Sequence, residues 1–130
     1  MILIDTSAWI EFLRDTGTPV CARVDELLQH ETAICEPVRM EILAGARDDK
    51  HLNDLRRLLA GSTLLKTEPI DFEEAASLYR ICRREGETVR ALIHCLIAAI
   101  TIRSGVSVLQ SDADFERLAR HTPVQLDRLR

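Results

Sequence analysis

The sequence predicts an α/β fold: a three-layer α/β/α sandwich around a short parallel sheet. Three observations carry that expectation. Short runs such as Met1 to Ile4, Thr32 to Cys35 and Val106 to Gln110 read as continuous apolar strands, so both faces of each should be covered. Each run is followed by a segment whose apolar residues recur at helical spacing. Strand and helix alternate along the chain, which suits parallel strands joined by crossover helices.

Met1 to Asp5 reads as the first strand. Ser7 to Leu13 reads as a helix with Ala8, Trp9, Phe12 and Leu13 on one face. Gly17 and Pro19 mark Asp15 to Pro19 as a turn. Ala22 to His30 is amphipathic, with Val24, Leu27 and Leu28 inward. Thr32 to Cys35 is the second strand. Pro37 suits the first turn of a helix running through Ala46, where its missing N–H is not needed. Leu52 to Ala60 is helical, and Leu64 to Thr67 is an edge strand. Asp71 to Arg84 presents Phe72, Ala75, Ala76, Leu78, Tyr79 and Cys82 as a broad apolar face, and Gly86 stops it. Leu92 to Arg103 is the most apolar helix. Val106 to Gln110 is a strand, Ala113 to His121 a helix, and Val124 to Leu126 a final short strand.

The chain has 130 residues, which suits one domain, residues 1–130, with one core. An apolar fraction of 46% excludes a disordered chain. The longest apolar run, Cys95 to Ile100, is far short of a membrane span. The N-terminus has no basic segment and no cleavage pattern, so a cytoplasmic protein is expected. Cys21, Cys35, Cys82 and Cys95 form no C-x-x-C pair and read as buried small residues. His30, His51 and His121 sit on polar stretches and read as surface residues. A formal charge of −4 argues against a broad basic surface for nucleic acid, but not against an enzyme that meets phosphate through metal ions.

The chemistry lies in the acids. Asp5 follows the first strand and Asp112 follows the strand Val106 to Gln110, so both belong at the carboxyl edge of the sheet. Open parallel sheets bind ligands there. Glu41 lies one turn into the helix after the second strand, among Met40, Ile42 and Leu43. Glu36 and Asp114 belong to the same edge. Each acid has a simpler role open to it: Asp5 and Asp112 as helix caps, Glu41 as an ion-pair partner of Arg39 or Arg47. Together, carboxylates converging on one edge repel one another unless a cation neutralises them. Oxygen ligands of this kind suit Mg²⁺ or Mn²⁺, and such ions promote phosphodiester hydrolysis.

Four blocks resemble one known family. Ile4-Asp5-Thr6-Ser7-Ala8-Trp9-Ile10-Glu11 resembles the opening of VapC-type PIN domains. Glu36-Pro37-Val38-Arg39-Met40-Glu41-Ile42-Leu43-Ala44-Gly45 is similar to the segment with their second acid. Gly86 to Ala99 resembles the third block, and Ser111-Asp112-Ala113-Asp114-Phe115 the last. The blocks span the chain in order. The resemblance implies a metal-dependent endoribonuclease, the toxin of a toxin–antitoxin pair. It uses Mg²⁺, with Mn²⁺ as a substitute, forms a homodimer, and is blocked by a VapB antitoxin whose tail fills the acidic cleft. It implies Asp5, Glu41, Asp112 and Asp114 as metal ligands, and these with His94 as the catalytic set. Thr6 and Arg90 are implied as contacts to RNA or antitoxin.

The departure is His94, where the family has an aspartate directly before the Cys-Leu-Ile-Ala-Ala run. Three functions therefore stay open: an active RNA-cleaving toxin, a catalytically weak PIN domain that dimerises and binds its antitoxin, or a PIN-like DNA nuclease or RNA-processing factor.

Overall fold

The computed structural model describes residues 1–129; Arg130, the last residue of the expected domain, lies outside them. The elements run β1 (Ile2–Ile4), α1 (Thr6–Leu13), α2 (Pro19–Leu27), β2 (Thr32–Cys35), α3 (Glu36–Ala44), α4 (Asp49–Leu59), β3 (Thr63–Leu65), α5 (Pro69–Arg84), α6 (Leu92–Ser104), β4 (Ser107–Leu109) and α7 (Ala113–His121). All strand pairs are parallel, in the order β3-β2-β1-β4. The chain steps one way from β1 to β3, then crosses back to β4. Right-handed crossovers therefore place α1 to α4 on one face and α5 and α6 on the other. Within the layers α1 packs on α2 and α3, and α3 on α4, while α5, α6 and α7 contact one another; α3 and α6 also meet between the layers. This is the expected three-layer arrangement.

Burial explains the apolar runs. Every residue of β2 is buried, and Leu3 and Ile4 of β1 are inaccessible. Helix α6 is buried through Cys95, Ile97, Ala98, Ala99, Ile100 and Thr101, so it is apolar nearly all round. It ends at Gly105, whose φ of 70° a β-carbon would oppose. All four cysteines are free and buried, as expected. Among the described residues no helix is long and apolar enough to cross a membrane.

Several expectations move. Helix α2 starts at Pro19, not Ala22, because the Thr18 side chain accepts the Cys21 N–H at 3.2 Å and Pro19 takes the first turn. Helix α4 starts at Asp49, capped by Asp48, which accepts the His51 N–H at 2.7 Å. Val124 to Leu126 makes only a single bridge, Val108 to Leu126, flanking β4. Phe72, placed on the inner face of its helix by spacing, is 60% exposed; Asp71 turns inward instead.

That inversion has a cause. Asp71 is 1% exposed and accepts Arg103 Nε at 2.8 Å and Nη2 at 2.9 Å. Arg103 Nη2 also donates to the Lys66 carbonyl at 2.7 Å. The pair ties the start of α5 to the end of α6. The Arg103 hydrogen bonds hold the Asp71 carboxyl below the usual range against the opposing effect of burial. A carboxyl with a depressed folded pKa stabilises above its unfolded value, and that contribution is lost as pH falls through the folded one. Arg103→Met should therefore cost about 2 kcal/mol at pH 7, less than for a fully buried pair because Arg103 is part-exposed. The deficit should shrink toward pH 4, where the stranded Asp71 is protonated. Urea unfolding at both pH values checks this; an equal deficit at both would assign the loss to packing of the arginine stem.

Candidate functional site

Strands β1 and β4 lie side by side, with Ile4 opposite Leu109. Asp5 comes next on β1, and its backbone N–H donates to the Leu109 carbonyl at 2.9 Å. The ladder thus fixes Asp5 at the carboxyl edge. Asp112 enters the same edge from β4 and caps α7, its Oδ1 accepting the Asp114 N–H at 2.8 Å. Capping and site roles coexist: Asp5 also caps α1, its Oδ2 accepting the Ser7 N–H at 3.0 Å and Ser7 Oγ at 2.6 Å. Ser7 Oγ in turn accepts the Ser111 N–H at 2.9 Å, tying the two acidic turns together.

Asp5 is 0% exposed, and its other oxygen, Oδ1, has no hydrogen-bond partner among the described residues. Burial pushes its carboxyl above the usual range; the Ser7 bonds and the nearby His94 work against that, and Glu41 adds to it. A buried carboxylate oxygen without a donor costs on the order of 1–3 kcal/mol. A dication bound there would supply the missing partner. An acidic edge with such an orphaned oxygen fits a hard, oxygen-seeking metal ion. Glu41 pairs with neither Arg39 nor Arg47; its Oε1 accepts Thr6 Oγ1 at 2.8 Å, so Thr6 orients the second acid.

Asp114 behaves differently. It is 1% exposed, and its Oδ1 accepts the Arg90 N–H at 2.8 Å and Arg117 Nη1 at 3.1 Å. Its Oδ2 accepts the Ala91 N–H at 3.1 Å and meets His94 Nδ1 at 2.6 Å. Burial would raise this carboxyl, but the bonds from Arg90, His94 and Ala91 prevail and hold it below the usual range. Four donors occupy its lone pairs. His94, Asp112 and Asp114 form a compact group whose side chains are of types that can ligate a metal, with His94 Nδ1 4.0 Å from Asp112 Oδ1. The His94 ring packs on Phe115 with centroids 5.1 Å apart.

Arg90 is exposed and borders a groove of about 680 Å³ lined also by Tyr79, Arg80, Arg83, Thr88 and Leu92. Its backbone N–H, rather than its guanidinium, touches the acidic centre. Glu36 accepts the Thr67 N–H at 2.7 Å, which ties β2 to β3. His121 is not a free surface residue: its Nε2 meets Glu87 Oε2 at 2.6 Å, and Arg120 Nε bonds the same carboxylate at 3.0 Å. That clasp anchors the loop from which Arg90 and Ala91 reach Asp114. Sequence reasoning missed Ser7, Arg117 and this clasp; Ser7, two residues after an acid at a helix start, was the one signal available. Burial pushes the thiols of Cys35 and Cys95 up to about 12, so both are protonated, inert core groups at neutral pH.

Comparison with known proteins decides the family. The model of the PIN domain matches residues 2–121. The chain belongs to the PIN domain family. Ribonuclease VapC11 of Mycobacterium tuberculosis is 50% identical to this PIN domain over 129 residues, covering 96% of each chain. A VapC ribonuclease of Mycobacterium bovis matches equally, at 50% identity and 96% coverage of both. Among solved structures, VapBC2 of Rickettsia felis has a similar fold, with TM-score 0.77 at 15% identity, covering 98% of both chains. FitAcB of Neisseria gonorrhoeae gives TM-score 0.76 at 21% identity, covering 98% of this chain and 97% of that one.

The burial of Asp5 makes a stability prediction. A folded carboxyl pKa above the unfolded one means that stability falls as pH rises from the unfolded value through the folded value. Asp5→Asn removes that penalty. Without metal at pH 7 the variant should be more stable than its parent by on the order of 1 kcal/mol. The gap should close near pH 4. Urea unfolding in EDTA measures both; a destabilised Asp5→Asn protein would mean that the orphan oxygen carries no charge penalty.

Proposed function

We propose that this PIN domain, one domain spanning the whole chain, is the toxin of a VapBC-type pair: a metal-dependent endoribonuclease acting in the cytoplasm as a homodimer. The observation that carries the reading is the unpartnered, buried Asp5 oxygen at the edge shared with Glu41 and Asp112. The 50% identity to VapC ribonucleases over 96% of the chain supports RNA as the substrate.

Asp5, Glu41 and Asp112 would hold the cation, Mg²⁺ or Mn²⁺. Bound there, it supplies charge stabilisation at a scissile phosphate and lowers the pKa of a coordinated water. The chain's own residues do the rest. Ser7 fixes one oxygen of Asp5 and leaves the other toward the cleft. Thr6 holds Glu41 in place. Arg80, Arg83 and Arg90 line a basic groove, and Arg90 enters it from the loop that clamps Asp114. Guanidinium groups there suit phosphates flanking the cleaved bond. Specificity then comes from this groove and RNA shape rather than from overall charge.

Asp5→Asn and Asp112→Asn should each lower cleavage of an RNA oligonucleotide pool at least about a hundredfold with the circular dichroism spectrum unchanged. Thr6→Val should lose about tenfold through a misplaced Glu41. Normal cleavage by Asp5→Asn would place the reaction elsewhere.

A VapB-type antitoxin is the expected partner. An arginine from its tail would set a fork of donors against Asp5, Glu41 and Asp112, in place of the metal charge. Antitoxin and dication should then compete. Calorimetric titration with antitoxin should show affinity reduced several-fold by saturating Mn²⁺; identical affinities would separate the two sites.

A further inference from the structure

His94 is the residue by which this chain differs from the all-carboxylate site that its family resemblance implies, and the structure surrounds it with a specific arrangement. Its Nδ1 lies 2.6 Å from Asp114 Oδ2. Two ligand atoms on one octahedral cation stand farther apart than that, so this is a hydrogen bond and not a pair of ligands. The remaining lone pairs of Asp114 are taken by Arg90, Ala91 and Arg117. Asp114 therefore has no oxygen left for a metal and is a positioning residue. With Nδ1–H donated to Asp114, the imidazole is held as the tautomer whose Nε2 carries the free lone pair. Nε2 has no hydrogen-bond partner among the described residues. Phe115 against the ring fixes its plane. A carboxylate that orients one histidine nitrogen so that the other can ligate is the usual support of a metal-bound histidine.

The second, independent observation is Asp5. Its carboxyl is inaccessible and one of its oxygens has no partner among the described residues.

We propose that His94 is itself a metal ligand through Nε2, oriented by Asp114, and that the acidic site it joins beside Asp112 selects a borderline transition dication such as Mn²⁺ over Mg²⁺. The inference rests on the metal-binding reading of the acidic cleft. The chemistry is that of ligand softness. Imidazole nitrogen is a good donor to first-row transition ions and a poor one to Mg²⁺, which prefers oxygen in strict octahedral geometry. Exchanging one anionic oxygen for a neutral nitrogen also removes a charge, which penalises the ion that binds mainly by charge.

The test uses the full chain and Mn²⁺ as the probe. Pulsed electron paramagnetic resonance of bound Mn²⁺ should show coupling to an imidazole ¹⁴N nucleus, changing to the ¹⁵N pattern in protein grown with ¹⁵N-histidine. His94→Asp should abolish the coupling, which excludes His30, His51 and His121 as its source. Calorimetry should show that the ratio of Mn²⁺ to Mg²⁺ affinity is about tenfold larger in the native protein than in His94→Asp. Asp114→Asn should weaken Mn²⁺ binding about tenfold and broaden the nitrogen coupling, since the ring loses its anionic anchor. Should His94→Asp fail to fold, the isotope experiment on native protein still decides. Mn²⁺ bound through oxygen alone, or no Mn²⁺ uptake up to millimolar concentration, overturns the proposal. RNA cleavage is assayed separately. Nitrogen-coupled Mn²⁺ without cleavage keeps this inference and removes the ribonuclease reading. Cleavage with oxygen-only coordination does the reverse.

Discussion

Strand β1 hydrogen-bonds on both sides, to β2 through Ile2 and Leu3 and to β4 through Ile2, Leu3 and Ile4. The chain leaves β1 toward one edge of the sheet and returns to its other side only after β3. The helices that follow lie on opposite faces, and a cleft opens where they part, beyond the carboxyl ends of β1 and β4. Everything proposed for this site depends on that pairing. Asp5 reaches the cleft because its backbone N–H continues the ladder to Leu109. A slip of one residue would turn the side chain to the other face and replace a core residue with a carboxylate.

The pairing brings two buried carboxylates to one edge, and the surroundings treat them oppositely. Asp114 is saturated by four donors, two of them backbone N–H groups from the loop before α6. Its charge is stable where it is, and it can orient a neighbour. Asp5 is satisfied on one oxygen and bare on the other. A folded protein tolerates such an atom where something else is to occupy the space. The same residue type at the same edge thus holds a ring in one case and keeps an oxygen without a donor in the other. His94 takes its orientation from Asp114.

Much of this was legible in the chain. Apolar runs without polar alternation marked the buried strands, and Asp5, Glu41 and Asp112 were placed by following strand ends into helix starts. The shifted features share a cause. Thr18-Pro19 carries a start signal for α2, but Gly17 and Pro19 also spell a turn, and only the Thr18 bond to Cys21 separates the two. Phe72 sits on the apolar face by spacing, yet Arg103, thirty-odd residues later, draws Asp71 inward and rotates Phe72 out. Leu13 is likewise half-exposed despite its spacing.

The division follows from the range of the forces. The sequence by itself determined the alternation of elements, the parallel class of the sheet and the acids at strand ends, because strand burial, helix period and capping are properties of neighbouring residues. The family resemblance added that the position of His94 matters. Only the tertiary structure decided which acids are free. Asp114 and Asp112 stand two residues apart on one turn and look alike in the chain. What distinguishes them is a loop from residues 90–91 that closes over Asp114 and leaves Asp112 at the surface of the cleft. Donors brought across more than twenty residues leave no trace in local spacing, and it is those donors that convert one carboxylate into a support for His94.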